Sequence, residues 1–455
     1  MLERVDRAAG AAPRPFRGTY ARAARVLFRA SRRPVIGEPM TTNSHLETRD
    51  APDLGDAAVV HRHLLGAPAP DAPVIRRQTG ARIEAADGSS WLDAASAGFG
   101  PGHPVVTGRL IEQAGRVALS SRILVSRPLA EAVTALHHLC PDPLTVSYLC
   151  NSGAEALDSA LKLAKGTHRA RRLVAGFAGA EHGTLVHGLS LTHGFPLLPD
   201  QPLRPVAVPR DRPDELVERI RDDVAAVVVA PAAPGHRLAD LSPQWWRRLR
   251  AACDRSGTLL VLDERLTGPA RLGTDLAVSQ LPVLPDALVL GETLGADAVP
   301  VGCVVTSRAT YDRVYARRNP SLHGSTFGAN PLSSAAVAAV LRVAADDRLA
   351  DRQQDVAGLA RSRLAPLVDT GAVTDFGADG SLIWLRAVSP AAARELVAEL
   401  ARERVLVRPP DGDVIAVLPP LTAAPDDVAE LLDRVAAAGD RLATTWPDGQ
   451  REVRR

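Results

Sequence analysis

Apolar residues along this chain follow two rhythms. Leu173-Val-Ala175, Ala225-Ala-Val-Val-Val-Ala230, Leu259-Leu-Val-Leu262 and Ala287-Leu-Val-Leu290 are apolar throughout and read as strands buried on both faces. Stretches of helical period separate them, and the alternation predicts an α/β unit around a mainly parallel sheet. Upstream, Val74-Ile75, Ala81-Arg-Ile83 and Trp91-Leu92 are short runs divided by Thr79-Gly80 and Asp87-Gly88, the turn signals of a small antiparallel meander. Beyond about residue 330 helices dominate, with two more apolar strands at Leu382-Ile-Trp-Leu385 and Val414-Ile-Ala-Val417, which predicts an α+β C-terminal part. The expected division is residues 1–73 as a basic extension and Pro/Ala-rich arm, partly disordered. Residues 74–101 then begin a small domain, 102–329 form the large one, and 330–455 complete the small one. No internal repeat is visible.

Composition narrows the field only slightly. A chain of 455 residues with a formal charge of +2 can bury a large core and carries no signature of a nucleic-acid partner, because its arginines are scattered. No apolar run reaches the roughly 18 to 20 residues needed to span a bilayer. Four widely spaced cysteines form no Cys-x-x-Cys pair and read as reduced thiols of a cytoplasmic protein. Residues 1–39 are arginine-rich; they read first as codons upstream of a true start at Met40, then as a basic tail, and last as a targeting presequence. His61 and His63 lack a nearby third ligand and read as surface residues, not a metal pair. Lysine occurs only twice, at Lys162 and Lys165, and this scarcity matters below.

Chemistry concentrates after the strand that ends at Cys150. Asn151-Ser-Gly-Ala-Glu-Ala156 makes a small-residue turn that opens a helix, and exposed backbone N–H groups at such a helix start favour phosphate. Gly80-Ala-Arg-Ile83, Gly102-His-Pro104, Phe177 to Gly183, Leu262-Asp-Glu264, Thr267-Gly268, Pro300-Val-Gly302, His323-Gly-Ser-Thr-Phe-Gly-Ala-Asn-Pro331 and Leu418-Pro-Pro-Leu421 accompany it in order.

In these segments the chain resembles the class III aminotransferases of fold type I, over roughly residues 74 to 440. The resemblance implies a homodimer with shared active sites and a pocket for pyridoxal phosphate, which acts as an electron sink. It further implies that Ser152, Gly153 and Ala154 hold the phosphate, that Asp263 faces the ring nitrogen, and that Thr326 reaches the phosphate in the partner subunit's site.

Four departures from the family pattern stand out. Glu292, in Leu290-Gly-Glu-Thr-Leu-Gly295, takes the place of the lysine that forms the Schiff base, and both lysines of the chain lie in the helix after the phosphate turn. Glu181 replaces the aromatic of Phe-x-Gly-x-Tyr-His-Gly that stacks on the ring. Ala416 replaces the arginine of Arg-x-x-Pro-Pro-Leu, which often binds a substrate carboxylate. The loop Gly98-Phe-Gly-Pro-Gly-His103 is shorter than its counterpart.

From these departures the expected function is a lysine-less, non-canonical enzyme and not a conventional transaminase. Glu292, Glu181, Asp263 and Glu264 would converge with His182 in the old pocket, and crowded carboxylates can serve as general acid or base. The chemistry would be a cyclisation, dehydration, isomerisation or condensation in biosynthesis, on a small molecule other than a free amino acid. The cofactor would be absent (a PLP-independent enzyme), or pyridoxal or pyridoxamine phosphate (PLP or PMP) bound non-covalently with no Schiff-base aldimine and with Glu292 or His182 as base. The remaining reading is a pseudoenzyme partner subunit of an active aminotransferase.

Overall fold

The computed structural model describes residues 72–445 except 122 and 316–323, together with 59, 60 and 64, all within one unit, Pro52–Arg455. The expectations about residues 1–39, His61, His63 and His323 fall outside the described residues.

The predicted meander forms β1 (Ile75–Thr79), β2 (Arg82–Ala85) and β3 (Ser90–Asp93), paired antiparallel in that order. The large sheet is built from β4 (Leu144–Cys150), β5 (Leu173–Phe177), β6 (Arg204–Val208), β7 (Val224–Val229), β8 (Leu259–Asp263), β9 (Ala287–Leu290) and β10 (Gly302–Ser307). Its spatial order is β4-β10-β9-β8-β7-β5-β6. The pairings from β9 through β8, β7 and β5 to β6 are parallel, and only β10 runs antiparallel to its neighbours. The mainly parallel α/β sheet is therefore present, with β6 and β10 as strands the apolar pattern did not disclose.

The all-apolar runs follow from burial on both sides. Val227, Val229, Leu260, Leu262, Leu288 and Leu290 enter one core, which also holds Leu136 and Trp246. Their alternates Ala226, Val228, Val261 and Val289 enter the opposite core with Leu157 and Leu161 of the Gly153–Thr167 helix. Each such Val or Leu contributes about 1.5–3 kcal/mol on burial.

A smaller antiparallel sheet comprises β11 (Asp375–Asp379), β12 (Leu382–Arg386) and β14 (Val414–Val417). The two-residue strand β13 (Val405–Leu406) joins the meander instead, parallel to β3 with Val405 opposite Leu92. The first and last described thirds of the chain thus share one core, in which Ala81 and Leu92 meet Leu385, Leu396 and Leu431.

Arg271 ties this part to the large sheet. It is 1% exposed and donates to the carbonyls of Ala97 (2.6 Å), Gly98 (3.2 Å), Ser381 (3.4 Å) and Pro419 (3.0 Å). Burial lowers its guanidinium to about 10.

Candidate active site

In an open parallel sheet, ligand groups gather beyond the carboxyl ends of the strands, where the chain turns into its crossovers. Ser152 follows β4, His182 follows β5, Arg210 follows β6, Asp263 ends β8 and Glu292 follows β9. The smaller sheet supplies the facing wall through Arg386, Val414 and Ala416. Between them lies a cavity of about 380 Å³ that Asp263, Arg265, Glu181 and Glu292 line.

At the phosphate turn, Ser152 caps the helix by accepting from the Glu155 N–H at 3.1 Å. Gly153 leaves room there: a Cβ would stand 2.7 Å from Arg265 Cδ and 3.2 Å from Glu292 Oε2, and those side chains would have to shift. Asn151 is held by its own N–H and Nδ2 donating to Glu155 and by Nδ2 donating to Ser325 Oγ at 2.6 Å. Thr326, the next residue, is exposed and does not line the cavity of its own chain.

Asp263 is the electrostatic centre. Arg265 donates to it three times, from its backbone N–H to Oδ1 at 3.2 Å, from Nε to Oδ1 at 2.8 Å and from Nη2 to Oδ2 at 2.9 Å, and His182 Nδ1 lies 2.8 Å from Oδ2. Burial works to raise this carboxyl, but the Arg265 charge and the His182 hydrogen bond outweigh it and hold the group well below the usual carboxylate range. His182 itself is 1% exposed, is not among the cavity-lining residues, and leaves Nε2 buried without a partner. It braces Asp263 and does not face the cavity.

The expected convergence of four carboxylates is only partly realised. Glu292 reaches the cavity beside Gly153. Glu181 stands at the rim with its side chain 80% exposed, 3.6 Å from Arg408. Glu264 turns the other way: fully buried, it accepts from the N–H groups of Ala277 (2.7 Å) and Val278 (2.8 Å) and from Thr267, while burial pushes its carboxyl up to about 7. It shapes a loop. Strict alternation along the strand end explains this, since Asp263 and Glu264 point to opposite sides.

Sequence reading missed Arg265, Arg210 and Arg386. Arg265 lay in view, immediately after the Asp-Glu pair. Arg210 was hidden because Pro205 masked the strand that carries it into place.

Both lysines are far from this centre. Lys162 lies nine residues into its helix, about 13 Å along the axis at 1.5 Å per residue. Lys165 Nζ donates to the carbonyls of Arg169 (2.6 Å) and Arg171 (2.5 Å) beyond the helix end.

The aminotransferase class-III model matches residues 67–438. This chain belongs to the class III aminotransferases. It is 32% identical over 372 residues to the acetylornithine aminotransferase of Methanopyrus kandleri, covering 79% of this chain and 93% of that protein. It is 30% identical over 397 residues to acetylornithine aminotransferase 1 of Bradyrhizobium diazoefficiens, covering 83% and 94%. Among solved structures, the acetylornithine aminotransferase of Elizabethkingia anophelis superposes with a TM-score of 0.70 at 25% identity, covering 84% of this chain and 98% of that one.

These relatives overturn three expectations. The reading of a non-canonical enzyme, or of a pseudoenzyme subunit, doing something other than transamination does not stand, because proteins that share about a third of their residues over four-fifths of this chain are aminotransferases by name. The reading of no cofactor, or of one held only non-covalently, falls with it, because pyridoxal phosphate is the cofactor this family points to. The physical reason is that the four departures, position 292 included, each touch only one of several contacts. The phosphate turn and an ionised Asp263 are independent of them, and both persist.

On donor chemistry these residues fit pyridoxal phosphate at two ends. The helix start fits its phosphate, and a buried carboxylate held ionised fits a protonated ring nitrogen. Arg265 spans the ground between those ends, its Cδ beside Gly153 and its Nε on Asp263.

Among the described residues no group of three or more His, Cys, Asp or Glu could hold a metal ion, and no helix is long and apolar enough to cross a membrane.

Proposed function

We propose that this chain is a pyridoxal-phosphate aminotransferase acting on a small amine-bearing acid. The observation that carries the proposal is Asp263, buried at the end of β8 and held as an anion on the same cavity as Glu292 and the ground next to the phosphate turn. When bound, pyridoxal phosphate supplies an electron sink for the bonds at the amine-bearing carbon.

Ser152, Gly153 and Ala154 would hold the phosphate through the helix start, and Asp263 would hold the ring nitrogen. His182 keeps Asp263 oriented, so it is a positioning residue. Glu292 handles the proton at the cavity face of the phosphate turn, from Oε2. Glu181 stands at the rim, 3.6 Å from Arg408.

The second protomer of a homodimer completes the site with its Thr326. Support for a dimer comes from apolar side chains that a lone chain leaves in water, among them Ile111, Ile123 and Val125, with exposures of 70%, 89% and 87%.

The test supplies the purified chain with pyridoxal phosphate, acetylornithine or ornithine as amino donor, and a 2-oxo acid as acceptor. Formation of the corresponding amino acid above the rate given by pyridoxal phosphate alone supports the proposal, and a rate equal to that background overturns it. Light scattering that finds only monomer removes the shared site.

A further inference from the structure

Arg265 takes up more of Asp263 than an ion pair needs. A carboxylate offers roughly four acceptor positions, and those of Asp263 are all in use. Oδ1 accepts from the Arg265 backbone N–H and from Nε, and Oδ2 from Arg265 Nη2, with His182 Nδ1 beside it at 2.8 Å. Two of these donors are fixed by the fold, because the backbone of residue 265 leaves β8 at once and the His182 ring is buried. The guanidinium is the part that can leave. It ends a long side chain that lines the cavity and is 13% exposed, against 3% for Asp263.

Three glycines leave the room that this side chain fills. A Cβ at Gly153 would stand 2.7 Å from Arg265 Cδ, one at Gly183 would stand 3.0 Å from Nη1, and one at Gly291 would stand 3.1 Å from the Arg265 Cβ. Nη2 also donates to the Glu181 carbonyl at 2.8 Å. Burial works against the Arg265 charge, but Asp263, with smaller help from Glu292 and Glu181, outweighs it and raises the guanidinium above its ordinary value. One cation therefore lies between the phosphate turn and Asp263, the two places whose donor chemistry fits pyridoxal phosphate.

We propose that Arg265 is a latch on this site: its guanidinium and the protonated ring nitrogen of pyridoxal phosphate are alternative partners of Asp263, so that Arg265 sets how tightly and how fast the cofactor enters. The inference rests on the proposed function for the identity of the cofactor. Its basis is competition for acceptors. A ring N–H can bond Asp263 only at a position that the guanidinium gives up, and each of the two cations calls on the same single negative charge. Giving it up breaks a paired, charge-assisted contact in a buried setting, which is costly. Affinity for a ligand that needs the open form falls in proportion to the fraction of chains that are open.

The test titrates the full chain with pyridoxal phosphate and, separately, with inorganic phosphate, by calorimetry, and follows cofactor binding by stopped-flow fluorescence. Arg265→Leu should bind pyridoxal phosphate at least about tenfold more tightly than the wild type, the share of open chains being what limits the latter. It should bind inorganic phosphate no more tightly, since that ligand does not compete for Asp263. The observed binding rate of the wild-type chain should level off as cofactor concentration rises, at the rate of latch opening, and that of the variant should climb without a plateau. Equal or weaker cofactor binding by Arg265→Leu overturns the proposal. So does an equal gain for inorganic phosphate, or a wild-type rate that climbs linearly throughout. Should Arg265→Leu fail to fold, Arg265→Gln, which keeps a donor without the charge, and the wild-type rate curve decide. Cofactor binding that differs as expected but supports no transamination sinks the functional reading alone; transamination with equal cofactor affinity in both chains sinks this inference alone.

Discussion

Arg265 closes on both carboxylate oxygens of Asp263 while its Cδ crowds the space above Gly153, so one side chain bridges the two ends of the candidate cofactor site. Removing one partner of a buried pair costs about 3–5 kcal/mol because the other is left uncompensated. Asp263→Asn should therefore destabilise the chain by about 3 kcal/mol at neutral pH, read as a lower urea midpoint. The sign with pH follows from a folded-state pKa lower than in the unfolded chain: the stabilisation is present above about pH 4, the ordinary carboxyl value, and is lost as pH falls below it. The gap between wild type and variant should narrow in acid; a gap that widens contradicts the ion pair.

Glu292 lies close enough to the phosphate turn to test what it faces. Glu292→Lys places an amine there, and borohydride treatment with pyridoxal phosphate should then attach the cofactor covalently at residue 292, mapped by mass spectrometry. The wild-type chain should show no label at that position. Label found only at Lys162 or Lys165 would place the cofactor elsewhere.

His236 gives a second pH signature. Its imidazole titrates near 4 in the folded chain, against about 6.5 in the unfolded one. Between those values the unfolded state binds more protons, so folding stability rises as pH climbs from about 4 to 6.5. His236→Gln should flatten the unfolding free energy measured across that window. An unchanged slope would mean that the ring is not held neutral.

Arg271 is the joint between the two parts of the fold. Arg271→Met strips donors from the carbonyls of Ala97, Gly98, Ser381 and Pro419, most of which stay buried. A loss of about 3 kcal/mol or more is expected from buried acceptors left without donors, again by urea denaturation. A change under about 0.5 kcal/mol, the range of ordinary surface substitutions, would show that the joint is elsewhere.

Most of the sheet was legible because a strand buried on both faces admits only apolar residues, and β7, β8 and β9 are unbroken runs of them. The strand β6 escaped notice: it carries Arg204 and Pro205 and pairs with β5 alone at the edge of the sheet, where one side needs no partner. The phosphate turn, Asp263 and position 292 were also readable, since each sits where a recognisable strand ends. What misled was treating four local departures, Glu292 with Glu181, Ala416 and the short loop before His103, as decisive for the chemistry of the whole chain.

By itself, then, the order of residues determined the α/β architecture, the family and the places where chemistry gathers, because these depend on local periodicity and on short motifs at strand ends. Only the tertiary structure decided which charges meet. Asp263 and Glu264 are neighbours in sequence but belong to different surroundings, one on the cavity and one in a loop. Arg210 and Arg386 lie 176 positions apart and line one cavity from opposite sides. Whether a charged group is paired, buried or left facing a ligand depends on distances through space, and those arise only when strands distant in sequence are packed side by side.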